Sequence, residues 1–379
     1  METFRKSQQN NQGPLRDLPE SPPKLSPERK KSRKGFFVFG GIGLVIIAVL
    51  AGRVTLTFQN ISEQSNVALQ QFDDEKNFLP QKDPDRINVL ALGIRGAEDP
   101  EGGLLTDGIV VLSVQKSTGR AALISIPRDL WVRMPGRREY DKINAVYALG
   151  FKEGGKSSAL AYTKSVAERV TGLALDGAAS VNLEGVREFI DMLEGVTVKL
   201  QVPFIEDRQW VRGGDMGTST AFSIQTDTVS TSQGVVESQK WVFALPAGTQ
   251  TLDGRTTLYY LRARFSSSDF DRARREQQVL VALREKVTSL GFLLNPFKLN
   301  DLLRAFERNV STDLEFSRIS EFASYASRIK SSAIQHIIFS SGEKELLEVK
   351  YQNSLYTLVP KAGNFDAMRD VSRSVFIIK

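Results

Sequence analysis

Residues 259–279 crowd five arginines, Arg262, Arg264, Arg272, Arg274 and Arg275, around Asp269 and Asp271. A guanidinium is a permanently charged planar fork that grips phosphate oxygens two at a time, so this segment suits a phosphate or pyrophosphate ligand. The spacing adds to the composition. Asp269 followed by Phe270, Ala273, Val279, Leu280 and Leu283 reads as an N-cap opening a helix. Arg272 then falls in the first turn, where a cation opposes the helix dipole. An anion between that arginine and the free N–H groups relieves the conflict. Arg272, Arg275 and Glu276 share one face by helical spacing. A solvated charged face with pairs inside the helix explains the same segment, and the segment alone does not choose.

The elements that position these groups come from an ordinary globular composition. The chain has 379 residues, 41% hydrophobic and 25% charged, enough for a sizeable core. It has no cysteine, which excludes disulfides and thiol chemistry. Its only histidine, His336, sits in the apolar run Ile334–Phe339 and reads as a core or edge-strand residue. A histidine triad or a His/Cys zinc site is therefore excluded.

Residues 36–52 carry no charge and are almost wholly apolar, which predicts a single transmembrane helix over 36–53. A secretory signal peptide is the competing reading, and the long polar prefix argues against it. Arg29, Lys30, Lys31, Arg33 and Lys34 precede the span, so the N-terminus is expected in the cytoplasm and the remainder outside. Residues 1–35 hold nine Lys/Arg and four Asp/Glu, so this tail carries +5 of the chain's net +6. The tail suits anionic lipid, and its first part has the composition of a disordered segment.

A polar tether is expected over 54–86. Beyond it, Ile87–Ile94, Ile109–Val114 and Ala121–Ile126 read as strands. Ala159–Val170 and Glu184–Leu193 read as helices closed by Gly172 and Gly195, and Val196–Val202 as a strand. Residues 205–240 are rich in Ser, Thr, Gly and Gln and are expected to form a flexible insertion, either a long hairpin or a mobile loop. Trp241–Leu245 returns as a strand, and Leu252–Leu261 and Asp269–Val287 as helices. The C-terminal region, 289–379, shows helical stretches at Leu299–Glu307, Leu314–Ile329 and Phe365–Val375, with strands at Ile334–Phe339 and Leu355–Val359. The pattern left open whether this region completes the core or is appended to it. The alternation predicts an α/β fold with a mixed central sheet and helices on both faces.

Four further segments join the arginines. Asp107 lies in Leu104–Gly108, just before an apolar strand, and Arg128 follows the strand that ends in Ser125-Ile126-Pro127. The latter is a usual position for site residues in α/β sheets. Lys142–Tyr147 and Gly248–Gly254 complete the set. In this order, behind an N-terminal anchor, the segments resemble the LytR-CpsA-Psr family of cell-envelope proteins over about residues 87–288, with a weaker likeness through Asn309–Leu314.

The resemblance implies a membrane-anchored phosphotransferase that moves a glycopolymer, such as a teichoic acid, from a polyprenyl-pyrophosphate carrier to peptidoglycan. A pyrophosphatase side activity belongs to the same expectation. By motif position, Arg262, Arg264 and Arg272 would bind the pyrophosphate, with Arg128 beside them and Lys142 and Arg275 in support. Asp107 would ligate Mg²⁺, and Asp269 would orient arginines or assist the acceptor hydroxyl. The chain departs from the family pattern at Arg95, where an Asp metal ligand is usual, at Leu105 and Gly108, and at Glu276, where a Gln is usual. Glu98, Asp99 or Glu101 could substitute as ligands, or Arg95 could replace the metal's charge. These departures motivate the alternative, a non-catalytic binder of polyprenyl-linked glycans. Nucleic-acid binding is disfavoured by the near-neutral external part and the few interleaved aromatics. Phe189, Met192, Leu193, Tyr147 and Leu160 suit either a lipid groove or a packed core.

Overall fold

The computed structural model describes residues 79–377, except 97–102, 207–220, 232–233, 264, 289–295 and parts of 316–332. The basic tail, the apolar span at 36–53, most of the tether and Arg264 lie outside the described residues. No described helix is long and apolar enough to cross a membrane.

Strand β1 (Arg86–Ile94) is buried along most of its length, as its near-continuous apolar run requires of a central strand. It pairs antiparallel with β2 (Thr106–Gln115) and parallel with β6 (Gly177–Asn182). A tight turn leads from β2 into β3 (Ala121–Ser125), with Gly119 at a φ of 67° where a side chain would be strained. Two short strands from the C-terminal region finish the sheet: β12 (Val310–Thr312), antiparallel to β6, and β13 (Ile334–Ile338), parallel to β3. The order is β12-β6-β1-β2-β3-β13, a mixed sheet. The C-terminal region therefore completes the main sheet, which answers the question its sequence left open. His336 stands exposed on the edge strand β13.

After β3 come the small hairpin of β4 (Trp131–Arg133) and β5 (Tyr140–Lys142) and the helix α1 (Val146–Thr171). Apolar periodicity reads only the second half of α1, because a kink at Gly154–Gly155 breaks its phase. Gly172 ends it in the left-handed region, as the sequence indicates. Helix α2 (Leu183–Met192) is capped by Asn182, and α3 (Gly254–Arg262) by Asp253. These helices meet so closely that a Cβ on Gly254 would lie 2.2 Å from the Arg187 carbonyl oxygen, while Asp191 accepts the Gly254 N–H at 2.8 Å. The Asp253-Gly254 pair thus docks one helix on another.

Between those helices, β7 (Val196–Leu200) pairs with β11 (Gly248–Leu252). Strands β8 (Phe204–Glu206), β9 (Phe222–Thr231) and β10 (Gly234–Leu245) form a three-stranded sheet. Within 205–240, where a long hairpin or a mobile loop was expected, the described residues form mainly an antiparallel β9–β10 hairpin in unbroken register, the first of those alternatives. Alternating Thr and Ser with Ile and Val favours a strand, which the count of small polar residues obscures. Helices α4 (Asp269–Val287) and α5 (Pro296–Asn309) follow. A last hairpin joins β14 (Leu347–Gln352) to β15 (Leu355–Pro360) through Asn353 and Ser354, both at positive φ, and leads to α6 (Asp366–Ser374). The expected helix at Leu314–Ile329 lies largely outside the described residues.

Candidate functional site

Asp107 sits where β1 and β2 slip out of register. Gly93 pairs with Gly108 and Ile94 with Thr106, so Asp107 is the extra residue of a bulge, a device that re-aims a side chain. Two guanidiniums meet its carboxylate: Arg95 Nε donates to Oδ2 at 2.9 Å and Arg128 Nη1 to Oδ1 at 2.8 Å. Burial alone would raise the Asp107 carboxyl, but the two arginines outweigh it and hold it below the ordinary carboxylate value.

Arg128 follows β3 in a loop held from both sides. Asn144 N–H donates to the Arg128 carbonyl at 3.2 Å and Leu358 N–H to the Asp129 carbonyl at 2.9 Å. Its side chain, 11% exposed, also contacts Asp269 Oδ1 at 3.4 Å and Asp129 Oδ2 at 3.4 Å. Lys142 does not enter this cluster directly. It donates to Asp129 Oδ1 at 2.6 Å and so fixes the loop that carries Arg128.

The arginine helix begins differently from the sequence expectation. Ser268, not Asp269, is the N-cap: its Oγ accepts from the Asp271 N–H at 3.1 Å, and Asp271 accepts from the Ser268 N–H at 3.1 Å. This capping box uses Asp271. Asp269, one residue inside, turns instead to the arginines, contacting Arg272 Nη1 at 3.3 Å as well as Arg128. Arg272 reaches across to the Asp107 carbonyl at 3.4 Å and to Glu276 Oε1 at 3.5 Å. The Nε atoms of Arg128 and Arg272 are buried and have no hydrogen-bond partner. Each faces a carboxylate only at ion-pair distance, Arg128 Nε to Asp129 Oδ2 at 3.4 Å and Arg272 Nε to Glu276 Oε1 at 3.5 Å, so its hydrogen-bonding capacity is not used.

Arg275 has another occupation. Its guanidinium donates to the Tyr260 carbonyl at 2.8 Å, to Ser267 Oγ at 2.9 Å and to the Ala263 carbonyl. It lies over the Phe204 ring, 5.0 Å from the centroid. It therefore ties the segment after α3 to α4 and supports the other arginines rather than facing a ligand. Gln277 does the same work toward the sheet, donating to Ser125 Oγ at 2.8 Å and meeting His336 Nδ1 at 2.7 Å. Glu206 accepts from the Phe265 and Ser266 N–H groups. Neither Gln277 nor Glu206 carried a sequence signal, because each acts on a distant segment.

The arginine cluster lies in the wall of a cavity of about 580 Å³. Val186, Phe189, Leu261, Leu280, Leu283 and Phe306 make much of it apolar, and Arg95, Asp107, Arg128, Arg262, Arg272 and Glu276 supply its charge. Of the apolar candidates from the sequence, Phe189 lines this cavity, whereas Tyr147, Leu160 and Leu193 are packed in the core. A second, narrow cleft is lined by Asp129, Asp269 and Tyr356 and shares Asp107, Arg128, Arg272 and Glu276 with the first. Burial pushes the Glu276 carboxyl up to about 7, against the pull of Arg272 and with the Asp107 charge adding to the rise.

The Mg²⁺ implied by the resemblance can be tested against these groups. Both oxygens of Asp107 are taken by Arg95 and Arg128, and Asp269 is held between Arg128 and Arg272. Among the described residues no three His, Cys, Asp or Glu side chains converge as a metal site. A hard cation needs carboxylate charge that is not already neutralised. The described residues therefore do not fit a resident Mg²⁺, and Glu98, Asp99 and Glu101 lie outside them.

The model of the LytR_cpsA_psr family matches residues 53–371. The chain is 28% identical over 302 residues to the polyisoprenyl-teichoic acid–peptidoglycan teichoic acid transferase TagU of Oceanobacillus iheyensis, covering 77% of this chain and 81% of that one. It is 24% identical over 327 residues to the transferase of the same name in Bacillus subtilis, covering 84% and 90%. Among solved structures, TagV of B. subtilis superimposes with a TM-score of 0.55 at 20% identity, over 78% of this chain and 98% of that one. TagT bound to LIIa-WTA gives 0.54 at 21% identity, over 83% and 97%. At such identities the structural likeness shows the fold.

Proposed function

This chain belongs to the LytR_cpsA_psr family, and we propose that it transfers a glycopolymer from a polyprenyl-pyrophosphate carrier to peptidoglycan. The observation that carries the reading is the grouping of Arg95, Arg128, Arg262 and Arg272 in the wall of one largely apolar cavity, where the Nε atoms of Arg128 and Arg272 are buried and make no hydrogen bond. A pyrophosphate-linked lipid has both halves of that chemistry, a doubly charged head and an apolar chain. The relatives' transferase names support the same choice.

In this reading the carrier's chain occupies the apolar cavity and its pyrophosphate rests among Arg95, Arg128, Arg262 and Arg272, with Arg264 from the adjoining segment. An acceptor hydroxyl oxygen attacks the glycan-side phosphorus. The new O–P bond forms as the bond to the bridging oxygen breaks, and that electron pair leaves on polyprenyl phosphate. The hydroxyl proton passes to Asp269, whose contacts at 3.3 and 3.4 Å are longer than those that cap Asp107. Fixed guanidiniums stabilise the charge that builds on the leaving phosphate. Arg95 supplies the positive charge beside Asp107 that a metal ion would otherwise bring, and Lys142 and Arg275 hold the cluster in place.

The uncharged run at 36–52, preceded by five basic residues within 29–34, supports a single-pass anchor with a cytoplasmic N-terminus and an extracytoplasmic domain. Cover on both faces of the sheet is supported by its packing. Leu90 and Leu92 share a cluster with Leu160 and Val166 of α1, whereas Ile87 and Val89 pack with Leu314, Phe322 and Tyr325.

The test is transfer by the full-length chain from a short-chain polyprenyl-pyrophosphoryl glycan to a peptidoglycan oligomer, followed by mass spectrometry. Arg128→Ala and Arg272→Ala are each expected to lower turnover roughly 10²–10³-fold, the scale for a group that stabilises transition-state charge. Carrier binding with no product in the unaltered chain would sink the transferase reading in favour of a binder.

A further inference from the structure

Arg262 ends α3 and Arg272 sits in the first turn of α4, and both line the large cavity. The connector 263–268 sets the distance between them. It runs at the surface: Phe265, which also lines the cavity, is 59% exposed, and Ser266 and Ser268 are exposed. A surface connector left to itself samples many conformations, and backbone entropy opposes holding it in one. Two guanidiniums that grip one pyrophosphate need their spacing fixed, because the fork and the phosphate match at one geometry.

Two side chains from different elements hold the connector. Arg275, of α4 itself, donates to the Ala263 carbonyl and to Ser267 Oγ at 2.9 Å. Glu206, at the end of β8, takes the middle. Its Oε2 accepts from the Phe265 N–H at 3.1 Å, the Ser266 N–H at 3.3 Å and Ser266 Oγ at 3.0 Å. Two successive main-chain N–H groups turned to one side make an anion cradle of the kind that takes phosphates. Here a side chain of the protein fills it. Glu206 is 0% exposed, and its Oε1 is buried without a hydrogen-bond partner. Burying a carboxyl group with one oxygen unsatisfied opposes folding, so stability does not account for the residue. Phe204, two residues earlier and on the same face of this edge strand, lies under the Arg275 guanidinium and packs edge-on against Tyr260 of α3 at 5.1 Å. Strand β8 thus presents one face to the arginine segment, and its pairing with β10, from Phe204 opposite Leu245 to Glu206 opposite Phe243, holds that face in place.

We propose that Glu206 is a positioning residue for pyrophosphate binding: through the connector it fixes the spacing of Arg262 and Arg272. This rests on the carrier reading of the cavity. Glu206 does not line that cavity, so it touches no ligand there and acts through the segment it holds. The reach of its side chain matters, because two N–H groups and a hydroxyl converge on one oxygen. The charge does not, since an amide oxygen at the same place accepts the same bonds. With the Phe265 and Ser266 N–H groups occupied, the pyrophosphate is left to the guanidiniums, whose forks give the selectivity for it.

The experiment uses the full-length chain in detergent and calorimetry with two probes of equal chain length, geranylgeranyl pyrophosphate and geranylgeraniol. The alcohol reads the apolar wall alone, and the ratio of the two affinities reads the arginines. Glu206→Asp keeps the carboxyl group but draws it back by one methylene. It is expected to weaken the pyrophosphate about 10-fold, part of the roughly 10²-fold that a misplacement of about 1 Å can cost. Ser266→Ala removes one donor at an exposed position and should weaken it about threefold, the scale of one hydrogen bond. Both should leave geranylgeraniol within about twofold, and Glu206→Gln should keep both probes within about twofold. Unchanged pyrophosphate affinity in Glu206→Asp overturns the proposal, and Ser266→Ala decides in the same way should Glu206→Asp not fold. Equal loss of both probes also overturns it, since that marks a structural role. So does loss in Glu206→Gln with retention in Glu206→Asp, which makes the charge and not the reach responsible. An unaltered chain that binds the two probes equally well overturns the carrier reading itself, and the positioning proposal falls with it.

Discussion

Arg272 and Arg275 lie one turn apart on α4, and both are buried. Arg275 makes three hydrogen bonds, to Tyr260, Ala263 and Ser267 oxygens, and rests on the Phe204 ring. The contacts of Arg272 are longer, 3.3 to 3.5 Å, and its Nε meets Glu276 at 3.5 Å without forming a hydrogen bond. The same contrast separates two regions of the molecule. Around Gln277 and Arg275, polar groups satisfy main-chain atoms and hold segments together. Around Asp107, charges are packed at distances that leave donors open. Burial of charge does not tell architecture from function; completeness of hydrogen bonding does.

Separate substitutions break or sharpen that contrast. Arg275→Ala removes the partner of two buried carbonyls and is expected to cost about 3–5 kcal/mol of stability, the range for breaking a buried charged contact. Arg272→Ala removes a guanidinium whose bonds are incomplete, so its stability should change by only about 1 kcal/mol while carrier affinity collapses. Urea unfolding of both variants checks this. Equal losses would mean that the two arginines do the same structural work.

The sequence carried one half of the contrast better than the other. Arg262, Arg272 and Arg128, which the clustered arginines and the resemblance put forward together, do lie in the wall of one cavity. The start of α4 was misread by one residue, since Ser268 and Asp269 are both good caps and only the Asp271 partner decides. Arg275 shared the local signal of Arg272, and its different fate depends on carbonyls of a segment whose path the sequence does not specify. Strand β14 did not read as a strand because Glu348 and Lys350 break up its apolar residues. Strands β1, β2 and β3 were legible from apolar runs, whereas β6, whose Gly-Ala-Ala-Ser-Val-Asn has no such run, was not. The sheet's two outer strands were not placed, because pairing between distant segments leaves no local pattern.

Glu276 sharpens the contrast from the side of pH. Its carboxyl lies at about 7 in the folded chain, against an ordinary value of 4.5. Between those values the folded state binds the proton and the unfolded state does not, so stability falls as pH rises from about 4.5 to about 7 and is level above. Glu276→Gln is neutral throughout and removes that loss. The variant should exceed the parent in stability at pH 8 by up to about 3 kcal/mol, the equivalent of a shift of that size, and match it at pH 4. Thermal unfolding across that range checks the sign. A parent that gains stability toward pH 8 relative to Glu276→Gln would place Glu276 among the satisfied groups instead.

The smallest expected effect concerns the cation beside Asp107. With Arg95 Nε at 2.9 Å and Arg128 at 2.8 Å, that carboxylate is already neutralised, so chelation should change geranylgeranyl pyrophosphate affinity by less than about twofold. Arg95→Asp reverses the arrangement. It withdraws one guanidinium and sets a second carboxylate beside Asp107, a pair whose repulsion a divalent ion relieves. Affinity of that variant should drop in EDTA and recover roughly tenfold with millimolar Mg²⁺, and Mn²⁺ resonance should report one tight ion where the parent has none. If instead the parent loses binding in EDTA, Arg95 does not supply the charge, and a ligand from outside the arginine cluster must hold the ion.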